Sequence, residues 1–516
     1  MVGAAAGMQH GVLVLAAVVG ALVLTALLLS PPWAALGVLL VPLVLFEANP
    51  QSSFLSFTAR LYHGHRLTPP DVLFWIFVFA TLCELVRRGE RPRLPGPLTY
   101  PLLFLIGCDL MAIVNGYYSG GVRGDMLSQL ESVFYLAAMP FLVTNALHST
   151  GAVRNFATAG AGLAVFKAAL GLIGWAMGGG GSASPDGTSA SSNLTFLEPT
   201  ANWLMLLFVL TLLVALIHRV QTPLWARLGS ILALAAFILS LRRSFWIAGA
   251  LGFVLILVFA TGRRGGRVLV PALVVFVAAG IGVWGLSGGS SNPVATRAQK
   301  LSPAQIQVNA DDLYRVAERR NVIENVKQRP IFGFGFGVPW TTYRPVSLAF
   351  PDQGQYTHLL LLWYWLRMGV FGVVAYLWLM VTAVYMGFSL WRKHPDGLHR
   401  SIGLAAFAGF LGLMVAELTA SFTGVDSRFS LIVGAALGWL GAARATMGEA
   451  TPPVAVSSGG GLSVSRSLTA GRQAVSVGWA RVSAHKTWRP AALAALTLCA
   501  GLIVLALAVS SLAGSG

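Results

Sequence analysis

The sequence predicts an all-α fold: a polytopic helical bundle integral to a membrane, with a large extracytoplasmic loop that contains short helices. Three observations predict it. The 516 residues are 56% hydrophobic and only 10% charged, whereas an ordinary soluble domain carries about 25% charged residues. Apolar stretches near the ~20 residues needed to cross a bilayer recur along the chain. Clusters of arginine and lysine flank many of them, as loops on the cytoplasmic side do.

The formal charge of +17 is not a nucleic-acid signal in such a chain. Much of it sits in short loops beside spans, where it anchors the protein to an anionic leaflet. A positively lined cavity for an anionic substrate is a second reason for it. Cys83, Cys108 and Cys499 all lie in apolar stretches, which excludes a disulfide framework and a zinc site. No phosphate-binding loop, dinucleotide fingerprint or metal-ligand spacing is present, so no cofactor and no metal is expected. No internal duplication supports an inverted-repeat transporter.

In chain order, the first spans are expected at about 11–30 and 33–48, separated by Pro31 and Pro32. The first lacks a basic leader and a small-residue cleavage site, so it reads as a retained span. Residues 49–70 have an interfacial composition, with Arg60, His63, His65 and Arg66. A span at about 71–86 ends in Arg87, Arg88, Arg91 and Arg93, the best early marker of the inner face. Spans at about 98–114 and 130–147 enclose a glycine-rich polar loop, 115–129, on the outer side by alternation. Spans at about 155–178 and 203–218 follow, with a glycine- and serine-rich flexible segment, 178–192, between them.

Spans at about 228–241 and 244–261 meet at Arg242 and Arg243, and the second leads to Arg263, Arg264 and Arg267. Alternation puts these two clusters on opposite faces. The inner triplet is ordinary anchoring; the outer pair runs against the usual bias, which makes it informative. A span at about 268–286 leads into the large outer loop, 287–357. Within it, Leu313, Val316, Ile323 and Val326 are spaced as on a surface helix, and Pro330 ends or turns it. The apolar region 359–390 holds Gly369 and Gly372 at a bend or a close helix contact. Spans at about 401–419 and 429–444 complete a multi-span bundle over residues 1–445, with about 13 spans by this reading. Residues 446–489 read as a flexible basic cytoplasmic tail and 490–511 as an additional C-terminal transmembrane helix.

A membrane protein spends polar residues reluctantly, so clusters near span ends are where chemistry is sought. Arg242 and Arg243 either recognise phosphate through their rigid guanidinium forks or snorkel at the interface. Arg315, Arg319 and Arg320 either face an anionic ligand or belong to a solvated helix with Glu318 and Glu324 as local partners. His358 opens the long apolar region. It either accepts a proton from an attacking hydroxyl, holds a substrate group by a hydrogen bond, or is a satisfied interfacial histidine. Gln355 and Tyr356 stand beside it as supporting residues. Arg367, inside the span, either neutralises an anionic ligand or pairs with an acid such as Glu417. Glu198 and Asn202, at another outer helix end, are lesser candidates. The glycines of 333–337 admit tight backbone geometry, and their expected role is structural.

The motifs recur in a particular order. Ser240-Leu241-Arg242-Arg243-Ser244 joins a span pair, and Arg315 precedes Pro330-Ile331-Phe332-Gly333-Phe334-Gly335 in the large loop. His358-Leu359-Leu360-Leu361-Leu362 then leads to Gly369-Val370-Phe371-Gly372. This arrangement, with the segment 196–202, resembles the O-antigen ligase and polymerase superfamily of bacterial envelope glycosyltransferases, closely over about 195–376. Leu359 stands where that family often has asparagine, Ser244 replaces a glycine, and Arg319 replaces an aromatic residue.

The resemblance implies a metal-independent, inverting transfer at the outer face of the bacterial cytoplasmic membrane. The implied partners are an undecaprenyl-pyrophosphate-linked glycan donor, a glycan, lipid or other hydroxyl-bearing acceptor, and membrane lipids. Arg243 and Arg315, with Arg242, Arg319 and Arg320 nearby, would hold the pyrophosphate; His358 would orient or activate the acceptor hydroxyl. Two rival classes are a transporter of an anionic solute, for which Arg367 is the best-suited residue, and a membrane scaffold for polysaccharide assembly that recruits partners through the basic tail.

Overall fold

The computed structural model describes residues 31–45, 69–176, 199–240, 242–261, 310–344, 354 and 356–448. The described residues form an all-α bundle. In chain order its helices are α1 (Pro32–Leu45), α2 (Pro69–Arg88), α3 (Thr99–Tyr118), α4 (Arg123–Ala146), α5 (Thr150–Ala176) and α6 (Pro199–Ile217). Then come α7 (Leu224–Leu239), α8 (Arg243–Thr261), α9 (Ala310–Gln328), α10 (Leu360–Lys393), α11 (Gly397–Ala416) and α12 (Ser427–Ala445). The expected spans at 11–30, 268–286 and 490–511 fall outside the described residues, as do the tail from 449 onward and the segment 178–192.

Among the described residues, six helices are long and apolar enough to cross a membrane: α3 to α6, α10 and α11. Three shorter apolar helices, α1, α7 and the body of α8, accompany them. This is a polytopic membrane bundle. A span must satisfy every backbone polar group internally, and helices do so.

α12 runs through the interior and packs along α4, while α11 packs against α6, α8 and α10. Most of α12 is buried, including Gly434, Gly438 and Gly441 on the side facing α4. A Cβ placed on Gly438 would stand 2.6 Å from the Cβ of Val143. Small residues let the two backbones approach, as at other helix contacts in membranes. Because protein covers α12 on nearly all sides, it needs less apolar character than a lipid-facing span.

α10 contains the bend expected at Gly369, whose φ of 65° and ψ of −160° are non-helical. The bend releases two carbonyls inside a span, and a loop comes in to bond them. Phe334 N donates to Leu366 O at 2.7 Å and Gly335 N to Arg367 O at 3.0 Å; Val370 N donates to Pro330 O at 3.0 Å. The loop's other side is held by α3 and α4. Phe336 N donates to Ala112 O at 3.0 Å, and Val122 N to Gly337 O at 3.0 Å. An added Cβ on Gly335, at φ 86°, would collide with the Gly116 backbone.

Two expectations change here. Residues 115–129 are not a polar loop: α3 continues to Tyr118 and α4 begins at Arg123. Their polar side chains serve the glycine loop instead. Asn115 Nδ2 donates to Gly333 O at 2.7 Å, and Gln129 Oε1 accepts from Gly337 N at 3.0 Å. Arg367 and Glu417 go to separate partners. The fully buried Arg367 guanidinium donates to the carbonyls of Gly335, Val338 and Gly354. Glu417 accepts from Tyr376 Oη and from Thr423 N. Phe245, at the start of α8, is a core residue stacked on Phe422 at 5.5 Å.

Candidate functional site

α9 forms where the spacing placed a helix, yet its buried face is a different one. Leu313, Val316 and Ile323 are exposed. The face turned inward carries Tyr314, Glu318, Asn321, Val322, Asn325 and Val326. This is a 3.6-residue stripe of mostly polar side chains. Buried polar groups persist only when they are bonded, and these are. Asn321 Oδ1 accepts from Tyr343 N at 3.0 Å and Arg344 N at 2.8 Å, and its Nδ2 donates to Arg344 O at 3.0 Å. Asn325 does the same for Thr341, accepting from its N and donating to its O, both at 2.8 Å. Two amide side chains thus replace a strand partner for residues 341–344. Val322 and Val326 close the contact with Trp340 and Leu366.

Glu318 has no solvent exposure and meets His358 twice. Its Oε2 accepts from His358 N at 3.0 Å, and both carboxylate oxygens lie 3.1–3.2 Å from His358 Nδ1. Of the two readings the sequence leaves open for this helix, the one with Glu318 as a solvated local partner does not fit its burial. Glu324 fits that description, pairing with exposed Lys327 at 2.8 Å. The signal for Glu318 was present as a polar stripe, 314/318/321/325, which a search for apolar periodicity passes over.

Two tyrosines wall the His358 ring. Tyr314 meets it edge to face at 5.8 Å and Tyr356 at 5.0 Å. Burial and the Glu318 carboxylate push both phenols up to about 12, and Arg315 and Arg242 oppose the rise at Tyr356. Both phenols therefore stay protonated at neutral pH. Tyr356 lies within electrostatic reach of Glu318, Arg315, Arg242 and Asp426. It marks the point where α9, the start of α8 and the α11–α12 turn converge. The turn is fastened by Ser421 Oγ, which donates to Thr357 O at 2.6 Å. Asp426 caps α12, accepting from Arg428 N at 2.9 Å and Phe429 N at 3.2 Å.

The predicted residues divide as follows. His358, Tyr356, Arg315 and Arg242 come together; Arg242 also lies over the Phe422 ring at 5.7 Å. Arg319 and Arg320 are exposed on α9. Asn202 is fully buried in the first turn of α6. Arg243 opens α8, and its side chain lies outside the described residues, as do Glu198 and Gln355.

Beside the site, a cavity of about 330 Å³ opens between α8, α10 and α11. Leu251, Leu255, Leu360, Leu361, Leu411 and Met414 line it, with Glu417 and Tyr376 in its wall. Leu360 is two residues beyond His358, so the apolar cavity begins where the polar cluster ends.

No curated protein matches the chain. A family model described as O-antigen ligase matches residues 228–377, from α7 into α10, and takes in the arginines of α8 and α9 and His358. With the polytopic membrane bundle, that match over part of the chain supports assignment to the O-antigen ligase superfamily and a general ligase- or polymerase-like role in the cell envelope.

Proposed function

We propose that this protein is a glycosyltransferase that ligates or polymerises undecaprenyl-pyrophosphate-linked glycans at the outer face of the bacterial cytoplasmic membrane. The observation that carries the reading is the join between two environments: an arginine- and histidine-bearing polar cluster beside an apolar cavity. A polyprenyl pyrophosphate has the same two-part chemistry. Its tail suits the leucine-lined cavity between α8, α10 and α11. Its pyrophosphate suits Arg315 and Arg242 beside Tyr356, since guanidinium stays charged in apolar surroundings and offers paired donors to oxyanions.

The reaction follows from that placement. The acceptor hydroxyl approaches beside His358 and attacks the anomeric carbon from the face opposite the pyrophosphate. The new C–O bond forms as the bond to the pyrophosphate oxygen breaks, which inverts configuration. The arginines stabilise the charge that develops on the leaving group, a direct source of rate. Undecaprenyl pyrophosphate is the released product. No metal is needed in this scheme, because the arginines supply the positive charge. The transporter reading loses its best residue, since the Arg367 guanidinium is bonded to backbone carbonyls of the glycine loop and Gly354.

The test uses purified protein in lipid nanodiscs with native undecaprenyl-pyrophosphate glycan and acceptor. Glycan product and released undecaprenyl pyrophosphate are followed together. Wild type should form both in equal amount. His358→Ala should lower the rate about 1,000-fold, and Arg315→Ala should raise the KM for donor. Wild-type protein that is folded and yields no product with its native donor and acceptor would overturn the reading.

A further inference from the structure

We infer that Glu318 is the positioning residue that makes His358 a proton acceptor toward the incoming hydroxyl. The inference deepens the glycosyl-transfer reading and rests on it for the identity of that hydroxyl. It goes further in choosing between the two roles open to His358, holding the acceptor or deprotonating it.

The geometry leaves one tautomer. An ionised carboxylate only accepts hydrogen bonds. Both Glu318 oxygens lie 3.1–3.2 Å from Nδ1, so Nδ1 must carry the proton. The opposite tautomer would set a lone pair against a buried negative charge. With Nδ1 protonated, a neutral ring has its lone pair on Nε2. Glu318 also holds the His358 backbone N at 3.0 Å, and the rings of Tyr314 and Tyr356 flank the imidazole. The His358 side chain is 21% exposed and that of Glu318 only 1%. The Nδ1 edge is thus turned to a carboxylate that solvent barely reaches.

The step balances simply. Nε2 takes the acceptor's hydroxyl proton as the oxygen bonds to the anomeric carbon. The electron pair of the old glycosidic bond leaves on the pyrophosphate oxygen. The resulting imidazolium faces the Glu318 carboxylate, which stabilises it as the carboxylate of a catalytic triad does. The proton passes to water once the product departs. Burying Glu318 thus has a chemical return that a solvated glutamate could not give, because its partner's orientation would be averaged by water.

The experiment compares Glu318→Gln, Glu318→Asp and Glu318→Ala with wild type in nanodiscs, each checked for its thermal midpoint. Two readouts are taken. The first is transfer kinetics. Glu318→Ala should lower kcat about 100-fold, with the donor KM changed less than about threefold, and Glu318→Asp should recover part of the loss. The second needs no substrate: ¹⁵N spectra of histidine-labelled protein, with the His358 signals identified by their disappearance in His358→Asn. Wild type should show Nδ1 protonated and Nε2 bare, and Glu318→Ala should lose that pattern. If Glu318→Ala does not fold, the isosteric Glu318→Gln carries both readouts. A wild-type tautomer with Nε2 protonated, or a folded Glu318 variant with unchanged kcat, overturns the inference while leaving glycosyl transfer standing. The expected tautomer in a protein that transfers no glycan leaves the dyad standing and removes the transferase reading.

Discussion

α9 and α12 are both 19-residue helices, and opposite means hold them. α12 is wrapped by protein and fits by volume, its glycines set against Met139, Val143 and Thr144 of α4. α9 has one inward face, and that face is bonded as well as packed: a glutamate and two asparagines, each buried and each with partners, stand beside Val322 and Val326. Volume fixes the spine of the bundle; hydrogen bonds fix the helix that carries Arg315 and Glu318. A change in α12 should therefore cost stability and only secondarily activity. A change on the inner face of α9 should cost less stability and act locally, on the segments its side chains bond.

The comparison breaks most visibly at Gly438. Gly438→Leu forces side-chain atoms into the Val143 contact and should destabilise the protein by about 3 kcal/mol, read as a lower unfolding temperature in detergent. An unshifted unfolding temperature would mean that α4 and α12 are not tightly fitted. A smaller and more local effect is expected at Asn321. Asn321→Ala removes three bonds to residues 343 and 344 and leaves their backbone groups without the amide. The local cost should be about 1–2 kcal/mol, appearing as faster hydrogen exchange in 341–344 and not in α12. Exchange that rises equally throughout the bundle would contradict the division. The smallest effect belongs to Lys327→Ala on the outer face of α9. Its pair with Glu324 is exposed on both sides, so stability should change by less than about 0.5 kcal/mol.

The same contrast explains how much was legible in the sequence. The fold class follows from hydropathy, because lipid imposes one rule on every span. A bend or a close contact at Gly369 was legible from its glycines, and the structure makes it a bend. The polar stretch 115–129 was misread because hydropathy ends a helix where the apolar layer ends. α3 and α4 continue beyond it to reach the backbone of 333 and 337 with Asn115 and Gln129. The inner face of α9 was not legible for a related reason. Leu313, Val316 and Ile323 have the right spacing, but the groups that needed burial were those with hydrogen bonds to make. Glu318 was passed over because its partner lies 40 residues away. An acid on a polar helix looks solvated until that partner is in place.

The bend at Gly369 has a consequence for anyone dividing this protein into exchangeable parts. Leu366 and Arg367 turn their carbonyls to the amides of 334 and 335, and Val370 turns its amide to Pro330. Residues 330–337 and 366–370 are thus one inheritable block, although a stretch of more than twenty residues separates them in the chain. A chimera that takes the loop from a relative whose span is straight, or the span without the loop, strands backbone groups at membrane depth, at several kcal/mol for each. His358 lies between the two halves of the block, so a graft that carries the histidine should carry both.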